Sequence, residues 1–377
     1  MMDVLPWILF LAVVAAVVGF FAGRLSLRAS PPAPKGSAGG TTTGMAKALE
    51  GNRTANASPL AVARAGAAST PVVAAKSLSA APRDNMSAIP ANLLQQAKSW
   101  GYQLQNLDVA RAAASPFDLL VVDYAREEAD ARAWKPAEIE RLKAKPDGGR
   151  RIVVAYCSIG EAESYRGYWQ KGWKRDKPAW LLAENPEWHE NYSVCFWDQG
   201  WQRIVCGDPG ALIDQIVACG FDGIYLDKCD VYEDLREHFK AVARSRPDLE
   251  GDMVDFVRRI SAYAKAKRPG FLVIMQNAEQ LLQRTELRQA IDAVAKEELL
   301  FGLDRVEKPN TRAEVEESRT LLDTMKGDGK PVFTVEYLAN PQRIGEAAAA
   351  AAKLGYVLYV APKDRELARL NGAVPEV

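Results

Sequence analysis

From Pro90 onward the chain alternates short apolar runs with longer amphipathic ones. Eight runs have strand length: Trp100–Gln105, Asp118–Asp123, Ile152–Ile159, Gly223–Asp227, Phe271–Asn277, Ala293–Glu298, Val332–Tyr337 and Tyr356–Ala361. They are rich in β-branched and aromatic residues, the types that suit a pleated, half-buried surface. Segments with helical spacing lie between most of them, such as PAEIERLKAK before the third and MVDFVRRISAYAKAK before the fifth. Apolar strands alternating with helices predict a parallel sheet covered on both faces. Eight such units within residues 90–377 suit an α/β fold of the (β/α)8 TIM-barrel type, whose usual size is about 250 residues. A doubly wound open sheet is the structural alternative. It more often shows a glycine-rich phosphate loop after its first strand, and none follows Trp100–Gln105. One further run, YSVCFWD (Tyr192–Asp198), falls outside the count. It belongs to the connection from about Gly160 to Gly220, read as an insertion over the barrel mouth, since connections this long are usually functional or disordered and this one is too aromatic for disorder.

Ahead of the barrel the pattern changes twice. Val4–Gly23 is continuously apolar and long enough to span a bilayer as a helix. A cleaved signal peptide needs a basic start, whereas this one carries Asp3 and no Lys or Arg, so residues 1–28 read as an uncleaved anchor. Arg24, Arg28 and Lys35 follow it, and the positive-inside rule then favours a cytoplasmic C-terminal domain. The periplasmic or extracellular placement suggested by the chemistry below therefore stays open against a cytoplasmic one. Residues 29–89 are rich in Ala, Ser, Thr, Pro and Gly and read as a flexible linker.

Charge and rare residues narrow the chemistry. Lys+Arg and Asp+Glu both number 48, so no overall charge points to nucleic acid. There are two histidines, His189 and His238. Histidine-rich metal hydrolases and serine-hydrolase triads become unlikely, and carboxylate chemistry moves up. The five cysteines contain no C-x-x-C pair, which argues against a zinc site. Cys157, Cys219 and Cys229 read as small buried residues, and Cys195 and Cys206 are candidates for a disulfide in an exported domain. No metal or cofactor is expected.

In a barrel, functional groups cluster at the C-terminal ends of the strands. Here those ends are acidic. The second strand ends at Asp123-Tyr124, and the third runs into SIGEAE with Ser158, Glu161 and Glu163. The fourth ends at Asp227 with Asp230 beyond, the fifth at Asn277, the sixth at Glu297-Glu298 and the seventh at Glu336-Tyr337. Any single acid is as readily a helix cap, and Glu127, Glu128, Glu233, Asp234 and Glu237, a turn further on, are best read so. Asp222-Gly223 reads as the turn into the fourth strand. Acids converging on one rim repel and raise one another's pKa, a cost that marks a working site. Two carboxylates are also the minimal machinery for glycoside hydrolysis, one ionised and one protonated. Six of the nine tryptophans, including Trp197, fall in the insertion. Aromatic faces stack on sugar rings; most of these are expected to pack the insertion, with Trp197 a candidate for the cleft.

WGYQLQN, FDLLVVDYA, AYCSIGEAE, GFDGIYLDKCDVYE, QNAEQLL, AVAKEELLFG and VFTVEYL together resemble the endo-α-1,4-polygalactosaminidases, glycoside hydrolase family 114. The resemblance spans about Trp100 to Val360. It implies a glycosidase acting on galactosamine-containing polysaccharide, with Asp227 as nucleophile and Glu297 as general acid/base. Asp123, Tyr124, Ser158, Glu161, Glu163, Asn277, Glu336 and Tyr337 would line the cleft, with Asp230 on its rim. Glu336 stands where the family pattern suggests Asp, and strand alternation favours Glu297 over its neighbour Glu298. Unacetylated amino sugars are cationic, which an acidic mouth complements. The rival class is a non-catalytic polysaccharide-binding barrel at the cell envelope.

Overall fold

The computed structural model describes residues 92–126 and 133–372. The proposed anchor, the whole of the linker, Glu127 and Glu128 lie outside them. Among the described residues no helix is long and apolar enough to cross a membrane.

The main sheet contains β1 (Trp100–Gln103), β2 (Leu119–Asp123), β3 (Ile152–Ser158), β7 (Gly223–Asp227), β8 (Leu272–Gln276), β9 (Ala293–Glu297), β10 (Val332–Tyr337) and β11 (Val357–Ala361). They are hydrogen-bonded in that order, every pair parallel. The first and last strands approach each other, and the Trp100 indole N–H reaches across to the carbonyls of Val357 (3.0 Å) and Thr334 (3.2 Å). The result is a near-closed (β/α)8 TIM barrel. Helices cover its outside. The longest, Leu249–Lys267, buries Met253, Phe256, Val257, Ile260 and Ala264, one stripe at helical spacing. Two expected strands stop one residue short, at Gln276 and Glu297, because Asn277 (φ 54) and Glu298 (φ 54) turn left-handed.

Register decides what faces the barrel axis. Tyr156 pairs with Tyr225, and Tyr225 with Ile274. Trp100, Tyr102, Tyr225, Phe333 and Tyr359 meet inside, with Trp100 within 5.7–6.2 Å of the other four ring centroids. These rings form an aromatic floor beneath the C-terminal mouth.

The opposite end is held by buried charges. Arg151 is fully buried and donates to the carbonyls of Phe117 (2.7 Å), Leu142 (2.7 Å), Ala112 (3.2 Å) and Ser115. Asp222 is not simply a turn residue. It is fully buried and ion-paired to Arg150 (2.8 Å), Lys143 (3.4 Å) and Arg268 (3.4 Å). It also accepts from the Val153 N–H at 3.1 Å. Gly223 already belongs to β7, and a Cβ there would lie 2.5 Å from the Leu272 carbonyl oxygen.

The insertion folds as a three-stranded antiparallel sheet, β4 (Glu161–Glu163), β6 (Asn191–Val194) and β5 (Leu181–Glu184), with β6 central. Trp169, Trp173, Trp180 and Trp201 pack in a row, the first two contacts edge to face and the third tilted, successive centroids 5.0–5.4 Å apart, and make its core. The disulfide expectation is corrected: Cys195 and Cys206 are both free and buried. The helix Gln199–Val205 stands between them. It is about 10 Å long, against a usual disulfide Cα separation of at most about 7 Å.

Asp222 lies a whole strand from the mouth, so its loss should act on stability alone. Asp222→Ala leaves Arg150 and Arg268 without their counter-charge and the buried Lys143 with only the half-exposed Glu140 at 2.6 Å, at a cost of roughly 3–5 kcal/mol. Thermal denaturation should show a Tm lower by roughly 10 °C, with activity below the transition unchanged.

Candidate active site

Asp227 ends β7 and Glu297 ends β9, both on the inward parity of their strands. Tyr156, inward on β3, donates its hydroxyl to Asp227 Oδ2 at 2.6 Å. The Lys228 N–H donates to Oδ1 at 2.7 Å, an approach made possible by the left-handed turn at Lys228 (φ 57). Gly160 of the SIGEAE stretch packs over that turn. A Cβ there would lie 2.2 Å from the Lys228 carbonyl oxygen, which explains why this motif carries glycine. Glu297 is held from two sides: Tyr337 donates its hydroxyl to Oε1, and the Asn277 amide donates to Oε2 at 3.3 Å. Asn277 also accepts the Glu297 backbone N–H at 3.0 Å.

The two carboxylates act on each other. Burial first, and then the Glu297 charge, push Asp227 up to about 7. The aromatic floor is the cause of the burial: Tyr102 and Tyr225 both lie within the fields of Asp227 and Glu297, and both are raised in pKa mainly by desolvation. Among the described residues, no lysine or arginine is ion-paired to either carboxylate.

The rest of the acidic rim is neutralised, which the sequence reading did not foresee. Arg166 grips Asp123 with two bonds of 2.8 Å and Glu163 with bonds of 2.9 and 3.2 Å. Its guanidinium lies 4.5 Å from the centroid of the Tyr124 ring and 5.0 Å from that of Tyr165. Arg166 follows Glu163 by three residues, and that spacing was the signal available in the sequence. Lys228 bridges Glu161 (3.3 Å) and Asp234 (2.9 Å), while Asn185 donates to Glu161 at 2.8 Å. Burial raises the pKa of Asp123 and of Glu161 despite these partners. The Ser158 hydroxyl accepts the Glu161 N–H at 3.2 Å, shaping the turn.

Four further candidates are placed differently. Glu298 is ion-paired to Arg365, and its parity in the chain is opposite to that of Glu297. Glu336 is fully buried, and its oxygens accept the backbone N–H groups of Leu300 (2.8 Å) and Phe301 (3.1 Å). It anchors the loop after β9 and is not a cleft residue; an outward position in β10, opposite in parity to Tyr337, is the reason. Trp197 packs on Phe196 at 5.0 Å, with Arg246 over its ring at 5.5 Å. It covers the core of the insertion and makes no contact with the carboxylate pair. Asp230 stands at the start of the helix Val231–His238 without capping it by its side chain, and its charge reaches Asp227. Glu233 and Asp234 are that helix's acidic first turn, as expected.

A parallel barrel with paired carboxylates over an aromatic floor at its C-terminal mouth has the plan of a glycosidase. The comparisons give the family. The model of glycoside-hydrolase family GH114 matches residues 80–375. An uncharacterised protein of Deinococcus radiodurans is 38% identical over 284 residues, covering 74% of this chain and 84% of the relative. The uncharacterised protein MJ1477 of Methanocaldococcus jannaschii is 36% identical over 299 residues, covering 76% of this chain and 82% of the relative. The chain belongs to family GH114 and is a glycoside hydrolase by that membership. Among solved structures, the glycoside hydrolase domain of PelA from Pseudomonas aeruginosa shares the fold. Its TM-score is 0.51 at 20% identity, covering 72% of this chain and 97% of that one.

Asp227 is raised above its unfolded pKa of about 3.9, so ionising it opposes folding. The penalty is absent below about pH 4 and complete above about pH 7. Asp227→Asn removes it. The variant should therefore be more stable than the parent at pH 8, by up to about 4 kcal/mol, with the difference vanishing near pH 4. Denaturant titrations at the two pH values measure this.

Proposed function

We propose that this hydrolase cleaves a galactosamine-containing polysaccharide by a retaining two-carboxylate mechanism. The observation that carries the proposal is that Asp227 and Glu297 both face the barrel axis, each oriented by a tyrosine hydroxyl, and that among the described residues neither is ion-paired to a lysine or arginine. Asp227 attacks the anomeric carbon, and Glu297 gives its proton to the departing glycosidic oxygen. A water molecule then attacks the glycosyl-enzyme carbon, returning its proton to Glu297 and releasing Asp227. Tyr156 and Tyr337 keep the two carboxylates aimed throughout. With Asp123, Glu163 and Glu161 matched by Arg166 and Lys228, attraction for an ammonium-bearing sugar falls to Asp227 and Glu297.

Both steps need one proton on the pair, and the titration belongs to the pair as a unit. The rate should therefore fall as pH rises through about 7, where the pair loses that proton. A kcat/KM profile still rising at pH 9 would refute the single-proton pair.

Release of reducing ends from partly deacetylated galactosamine polymer tests the activity. Asp227→Asn and Glu297→Gln should each lower kcat by at least about 100-fold, with circular dichroism unchanged. Full activity in both variants overturns the site, and binding of the polymer without any release favours the non-catalytic barrel instead. The same proposal puts the hydrolase domain outside the cytoplasm, tethered by Val4–Gly23. A compartment-dependent reporter fused to the C-terminus reads the side directly.

A further inference from the structure

The barrel interior holds one hydroxyl that the catalytic pair leaves idle. Tyr225 precedes Asp227 by two residues on β7, so both side chains leave the same face of the strand. Its ring packs on Tyr102 at 5.3 Å and on Trp100 at 6.2 Å between centroids. The phenol thus stands where the aromatic floor meets the carboxylates, and Glu297 and Asp227 are the leading charges acting on it. The residue is 1% exposed, yet its hydroxyl has no hydrogen-bond partner.

The polar groups around it are committed elsewhere. Tyr156 bonds Asp227, Tyr337 and Asn277 bond Glu297, and Tyr102 donates to Gln276 at 3.3 Å. Among the described residues two other buried hydroxyls lack partners, those of Tyr232 and Thr334. Neither belongs to this chamber: Tyr232 sits on the helix Val231–His238, and Thr334 pairs with Lys296 at the outward parity of β10. A buried hydroxyl without a partner destabilises a fold. Asp227 and Glu297 beside it are part-exposed, so the missing partner can arrive with a ligand held between them.

We propose that the Tyr225 hydroxyl is a substrate-binding group, hydrogen-bonding a ring hydroxyl or amine of the sugar held between Asp227 and Glu297. The inference rests on the catalytic pair proposed above. A phenol both donates and accepts, so it can serve either substituent. The bond forms only in the complex, and its loss is read in ligand affinity while the fold is unaffected.

The test is calorimetric titration of the full chain with a piperidine iminosugar of galactose configuration, in parallel with thermal denaturation. The parent should bind. Asp227→Asn should weaken binding by about 100-fold and Tyr225→Phe by about tenfold, with the Tm of Tyr225→Phe equal to or above that of the parent. If Asp227→Asn loses binding while Tyr225→Phe binds like the parent, the role of Tyr225 is refuted and the catalytic pair stands. If Asp227→Asn binds like the parent, or the parent does not bind, the pair itself is overturned and the inference with it. A lower Tm in Tyr225→Phe would reveal a partner for the hydroxyl within the fold and would also overturn the inference.

Discussion

Two carboxylates stand over a floor of aromatic rings with no cation paired to either, and the rest of the mouth is arranged around that constraint. A protein interior does not tolerate two ionised groups in such a place without compensation. The compensation here is a single proton held by the pair up to about pH 7, together with phenol and amide donors aimed at the carboxylate oxygens. The donors hold the geometry without supplying the positive charge that would quench the pair. The floor supplies the desolvation. Trp100 does two jobs in it, filling the interior and bonding carbonyls of β10 and β11 across the barrel seam.

The neighbouring acids follow the opposite rule. Asp123 and Glu163 share Arg166, Glu161 and Asp234 share Lys228, Glu298 has Arg365, and Glu279 has Lys296 at 3.3 Å. Each is a buried or half-buried charge that is matched, and so serves mainly to position backbone and loops. This contrast separates the working carboxylates from the structural ones more sharply than exposure does. It also moves the electrostatic appeal of the site from the whole rim to a small patch around Asp227 and Glu297, where a cationic ring or a cationic transition state would sit.

Much of the barrel was legible in the chain. The strands Gly223–Asp227 and Val332–Tyr337 coincide with the expected runs, and the remaining six differ at their ends by one or two residues. The differences have a local cause at Asn277 and Glu298, where left-handed backbone stops a run that is still apolar or acidic by composition. The preference for Glu297 over Glu298 rested on the family resemblance and on strand alternation; in the fold Glu298 is ion-paired to Arg365. Glu336 was misplaced by the same alternation left unapplied: it neighbours Tyr337, and adjacent residues of a strand cannot both face the cleft. Trp197 and the Cys195–Cys206 pairing were misread because composition says that tryptophans and cysteines cluster, not which way each side chain points.

What the sequence by itself determined is periodic and local: strand and helix alternation, the order of the units, the parity of side chains along each strand, and the acidic first turn of the helix after Asp227. These follow from the pleat and from capping chemistry, which depend on residues a few positions apart. What only the tertiary structure decided is which acid meets which base. Arg166 reaches Asp123 across 43 positions and Arg365 reaches Glu298 across 67, and the pairing of β9 with β10 brings Tyr337 to Glu297 across 40. Pairing over such separations depends on where the folded backbone carries each charge, and no local pattern in the chain encodes that.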